Sequence, residues 1–86
     1  MVLLGNAWEH GYCINEKGGR PRRYETLLQS TMEDCEEFCR AEPGVTGCEY
    51  STVSAVACKA HKEAPIMTSN VGLNGFFCLL FKQKGK

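Results

Sequence analysis

The sequence predicts a single small, disulfide-rich α+β domain in which one α-helix packs on an antiparallel β-sheet. Three observations carry that reading. The chain has 86 residues, a size at which buried apolar surface alone leaves little net stability, so a staple is needed. Its six cysteines, Cys13, Cys35, Cys39, Cys48, Cys58 and Cys78, are even in number and spread over most of the chain, as in a disulfide framework. One well-capped helical segment stands among short runs with strand character and clusters of turn formers.

Zinc is the competing use for the thiols, and structural zinc asks for paired ligands at short spacing. The chain has no CxxC, His10 and His61 are isolated, and no second tight pair accompanies Cys35 and Cys39. The expectation is therefore disulfides, an oxidising compartment, no metal and no cofactor. Formal charge is zero, which gives no global attraction to nucleic acid or to an acidic membrane surface. Locally the charges separate. Acidic residues gather at Glu33, Asp34, Glu36, Glu37 and Glu42, and basic ones at Lys17, Arg20, Arg22 and Arg23 and again at Lys82, Lys84 and Lys86. The opening five residues are too short for a signal-peptide core and no run reaches the length of a membrane span. The chain then reads as a mature form, an excised domain or a chain with an added Met1, with residues 1–6 an extension, 7–81 the domain and 82–86 a basic tail.

Along the chain, a first strand is expected over residues 7–13, with Trp8, Tyr12 and Ile14 sharing one face. The charged, glycine-rich stretch from Asn15 to Pro21 reads as an exposed loop. A short extended segment follows over residues 22–28. Thr31 is a sound N-cap, its hydroxyl able to accept from the Asp34 N–H, with Glu33 and Asp34 at the positive end of the macrodipole. The helix is expected over residues 32–41 and stops at Pro43-Gly44. Cys35 and Cys39 fall on its inner face with Met32 and Phe38, while Glu33, Glu36, Glu37 and Arg40 take the solvated side. Residues 45–50 and 54–61 read as strands, 62–74 as turn-rich chain, and 75–81 as a buried closing strand.

Six cysteines allow fifteen connectivities. Cys35 and Cys39 point nearly parallel from one helix, which suits bridges to other elements better than a mutual one. No nucleophile motif, redox CxxC, metal constellation or glycine-rich phosphate loop is present, so an enzyme is not expected.

The ordered pieces Gly11-Tyr12-Cys13, Thr31-Met32-Glu33-Asp34-Cys35-Glu36-Glu37-Phe38-Cys39, Gly47-Cys48-Glu49-Tyr50, Cys58-Lys59-Ala60-His61 and Gly75-Phe76-Phe77-Cys78 together resemble the PAN/apple family. The likeness covers residues 8–81. It implies nested bridges Cys13–Cys78, Cys35–Cys58 and Cys39–Cys48, although some PAN-like modules lack the outer one. The run Glu63-Ala64-Pro65-Ile66-Met67-Thr68-Ser69 is similar to a loop of PAN-like modules from unicellular algae, which sets a lumenal location, the thylakoid lumen included, beside an extracellular one.

The resemblance implies recognition of a protein or a carbohydrate; the neutral charge and the short apolar runs add the expectation of no nucleic-acid partner and no transmembrane segment. Two surfaces are candidates. Lys17, Arg20, Arg22, Arg23 and Tyr24 form a basic stretch beside an aromatic, suited to an acidic protein or a sulfated glycan, with a plain solvated loop as the alternative. Tyr50, Lys59 and His61 could stack on a sugar ring and bond its hydroxyls. A different class of function is an accessory subunit docked in a larger complex through Val2, Leu3, Leu4, Leu79 and Phe81.

Overall fold

The computed structural model describes residues 8–62, 66–69 and 75–81. The expected extension 1–6, the basic tail 82–86 and the run 63–65 lie outside them. In chain order the elements are β1 (Glu9–His10), β2 (Cys13–Asn15), β3 (Tyr24–Leu27), α1 (Met32–Ala41), β4 (Gly47–Ser51), β5 (Cys58–His61), β6 (Ile66–Thr68) and β7 (Phe76–Leu80). Five strands make an antiparallel sheet in the order β1-β7-β4-β5-β3, and β2 pairs with β6 in a separate two-stranded ribbon.

The register decides what each face carries. Cys48 and Tyr50 of β4 stand opposite Ala60 and Cys58 of β5 and Leu79 and Phe77 of β7. Strand side chains alternate, so these share one face, and Gly47, Glu49, Ser51, Lys59, His61, Phe76, Cys78 and Leu80 share the other. Helix α1 lies on the first face, tied down by Cys35–Cys58 and Cys39–Cys48. The ribbon lies on the second, tied by Cys13–Cys78. All six sulfurs are thus paired as the resemblance implies, and each bridge joins the central sheet to one of its two covers.

The helix follows its sequence signals closely. Thr31 is the N-cap, and its Oγ1 accepts from the Asp34 N–H at 3.0 Å. Arg40 bonds Glu36 one turn back at 2.6 Å, the favourable order for such a pair. The chain leaves helical geometry at Glu42, and Gly44 takes a φ of 76° that a side chain would resist. Cys35 and Cys39 are buried, and Phe38 packs partly against the core they form with Val45, Cys48, Cys58, Ala60 and Leu79.

Three expectations need correction. The first strand is split: Gly11 adopts φ 120° and donates its N–H to the Phe76 carbonyl at 2.8 Å, turning the chain out of the main sheet before Cys13. Trp8 therefore packs edge-on against Tyr50 on the helix side, while Tyr12 packs against Phe76 on the ribbon side, so the two do not share a face. Residues 54–57 do not begin β5. Ser51 Oγ accepts from the N–H groups of Val53 and Ser54, and Ser54 Oγ from Val56, so side-chain bonds hold a loop where a ladder was expected. Within 62–74 the structure adds β6, whose pairing with β2 is long-range and leaves no local pattern.

The bridges close very different loops, with sequence separations of 65 for Cys13–Cys78 and 9 for Cys39–Cys48. Replacing both members of the outer pair by serine is expected to cost about 4 kcal/mol, against about 3 kcal/mol for Cys39 and Cys48, from loop-closure entropy. Urea denaturation of the two double variants measures the difference.

Candidate functional site

At the middle of the central strand lies a carboxylate. Glu49 is 3% exposed, a position that ionised groups occupy only when paired. Its Oε1 accepts the Cys13 N–H at 3.1 Å and faces His61 Nε2 at 3.2 Å, and its Oε2 accepts from the Arg20 guanidinium at 2.7 Å. Burial by itself raises the Glu49 pKa. The hydrogen bond from His61, the Arg20 charge, the attraction to His61 and the Cys13 N–H outweigh it, and the net position is below the usual carboxylate range. An ionised Glu49 only accepts, so Nε2 carries the proton toward it, and among the described residues the buried His61 Nδ1 has no partner.

An acid beside a histidine invites a catalytic reading, yet both groups are buried. A carboxylate held ionised this firmly is a weak proton acceptor. What the arrangement does is fasten the ribbon and the loop bearing Arg20 to the sheet, in register with Cys13–Cys78. The sulfur of Cys13 approaches Glu49 and His61, and those of Cys35, Cys39, Cys48 and Cys58 lie within 4.8 Å of one another. Metal ligation needs thiolates, and all six sulfurs are engaged in bridges.

The two sequence-predicted surfaces are redistributed. Arg20 turns inward to Glu49 and also stands over the Tyr12 ring at 4.4 Å, which makes it structural. Lys17 sits exposed at the tip of a tight turn in which Asn15 Oδ1 accepts from the Lys17 and Gly19 N–H groups. Arg22 and Arg23 are exposed on the approach to β3. Tyr50 faces the helix side and packs with Trp8 and Phe77, on the opposite face from Lys59 and His61. His61 is buried at 1% exposure and cannot offer its ring to a ligand.

The structure instead joins Tyr24 of the first set with Lys59 and His61 of the second. Tyr24 of β3 lies directly opposite His61 of β5. Their rings meet edge-on at 5.6 Å, and the Lys59 ammonium stands 4.9 Å from the Tyr24 centroid. Tyr24 is 39% exposed, so a cation and an aromatic face solvent together over a buried histidine. The sequence did carry a signal for Glu49, a lone charge in the otherwise inward-reading Gly47-Cys48-Glu49-Tyr50-Ser51. Its three partners come from distant positions and left none.

The proposed docking anchors also change. Leu79 is buried and Phe81 packs against the core, whereas Val2, Leu3 and Leu4 lie outside the described residues. Leu28 and Val53 are each 66% exposed. Ala57 bonds both Leu28 and Ser51, which sets Leu28 and the loop after β4 at the same end of the sheet. Among the described residues no helix is long and apolar enough to cross a membrane.

Because folding lowers the Glu49 pKa, its contribution to stability is complete above the unfolded value of about 4.3. That contribution is lost as pH falls toward and through the lower folded value. Glu49→Gln is expected to cost about 1–3 kcal/mol at neutral pH and to flatten the acid side of the stability profile. Thermal melts of both proteins between neutral and acid pH read both effects.

Comparison of the chain with protein-family models, with curated proteins and with solved structures finds no match, so a functional reading rests on its own geometry.

Proposed function

We propose that the chain is a non-enzymatic recognition module of PAN/apple-like type that binds an acidic ligand at the exposed end of the sheet around Tyr24 and Lys59. The observation that carries this is the pairing of the Lys59 ammonium with the half-exposed Tyr24 ring on an edge strand, with Arg22 exposed on the approach to that strand. A cation next to an aromatic face offers attraction to a carboxylate or sulfate together with an apolar platform. His61 and Glu49 beneath hold Tyr24 in place, so little ordering cost falls on binding. The ligand read from this chemistry is an acidic protein segment, and a sulfated glycan presents the same groups. Support for the family reading comes from the three nested bridges and the helix on an antiparallel sheet. Disulfides suit an oxidising compartment, which on this reading is extracellular or an organelle lumen.

A second reading, an accessory subunit of a larger complex, is favoured by a different observation. Leu28 and Val53 place exposed apolar surface at one end of the sheet.

Titration of the oxidised chain with a poly-glutamate peptide and with heparin, at several salt concentrations, tests the first reading. Lys59→Ala is expected to weaken binding about fivefold and to reduce its salt dependence. Absence of binding to either probe, or binding unchanged in the variant, would discard the surface. Dependence of monodispersity on Leu28 and Val53 would favour the subunit reading.

A further inference from the structure

We propose that β3 is a self-pairing edge, along which two copies of the chain join antiparallel about Tyr24 into one continuous sheet. Among the described residues β3 has a strand on one side alone, β5. The Lys62 N–H donates to the Arg23 carbonyl at 2.8 Å, which marks Arg23 and Lys62 as a hydrogen-bonded pair of that ladder. By the alternation of antiparallel pairing, Glu25 and Leu27 also turn their backbone groups toward β5, and Tyr24 and Thr26 turn theirs outward. Tyr24, Glu25 and Thr26 are exposed. An open row of this kind is a template for another strand.

The charges on β3 identify the occupant. Two copies related by a two-fold axis must bring outward-facing residues opposite each other, and β3 offers three ways to do so. Tyr24 opposite Thr26 sets the two Glu25 carboxylates against each other, which is repulsive. Thr26 opposite Thr26 sets Glu25 against Leu27 and leaves its charge without a counterpart. Tyr24 opposite Tyr24 sets Glu25 of each copy against Arg23 of the other, and symmetry makes that ion pair twice. Arg23 and Glu25 are exposed and lie on the helix face of the edge, free of the Tyr24 and Lys59 side. On that other face the same register brings the two Tyr24 rings together, each with its own Lys59, and doubles the basic aromatic surface. The pairing does not depend on what that surface binds.

A seam of one short strand per copy falls below the roughly 1,200 Å² of a standard interface, so the dimer is a weak one whose mark is concentration dependence. The experiment follows the intact, oxidised chain from low micromolar to millimolar concentration by sedimentation equilibrium and by amide exchange. The expected result is association with rising protection of the Tyr24 and Thr26 amides. Glu25→Arg is expected to weaken association about tenfold, since two attractive contacts become repulsive. Adding Arg23→Glu to that variant restores it by exchanging the charges, and all three proteins keep the same amide spectrum elsewhere because both positions are exposed. A chain monomeric to millimolar concentration overturns the proposal. So does association that Glu25→Arg leaves unchanged, or that leaves the Tyr24 and Thr26 amides unprotected. Protection of those amides only on addition of the poly-glutamate peptide would assign the edge to a foreign strand instead.

Discussion

Sulfur occupies the place that aliphatic side chains hold in a larger domain. Of the nine buried apolar residues among those described, six are cysteines, and Val45 and Leu79 are the only large aliphatics among them. A core of this kind contributes little by the area it removes from water. Its strength comes from restricting the unfolded chain, and the placement of the bridges follows from that. Two fasten the helix to β4 and β5 and one fastens the ribbon to β7, so neither cover depends on a broad apolar contact to stay on the sheet.

Glu49 does by charge on the ribbon side what the sulfur pairs do by covalent bonds. Cys13, Arg20 and His61, none of them near Glu49 in sequence, converge on its two oxygens. A buried ionised group is costly unless every part of it is bonded, and the reward for meeting that demand is specificity of arrangement. His61 carries the effect to the surface, because its ring sets the position of Tyr24. The exposed patch therefore rests on the buried network, its Tyr24 ring edge-on against a His61 ring that Glu49 holds.

The parts of this fold legible in the sequence are those written in local chemistry. The helix from Met32 to Ala41 has its cap, its charged first turn and its stop within a few residues of one another, and both ends were readable. The closing strand was readable from its unbroken apolar run. What escaped was decided by partners far away. Strand β6 exists because β2 lies beside it, and nothing in Ile66-Met67-Thr68 announces this amid turn formers. Gly11 divides a stretch that alternates well enough to pass for one strand, since the bend answers to the Phe76 carbonyl. The same reason separates Tyr50 from Lys59 and His61: spacing along β4 and β5 leaves open which face each residue takes until the register is known.

The Cys13–Cys78 bridge also governs how the molecule would respond to traction. A pull applied to the two ends of the chain enters at Cys13 and leaves at Cys78, and the covalent link carries it directly between them. The 65-residue separation enclosed by that link, the helix and strands β3, β4 and β5 included, bears no tension while the bond stands. Under load the domain acts as a rigid bead on its own backbone, extending only outside the clasp, and reduction of that one pair would be the step that lets it uncoil.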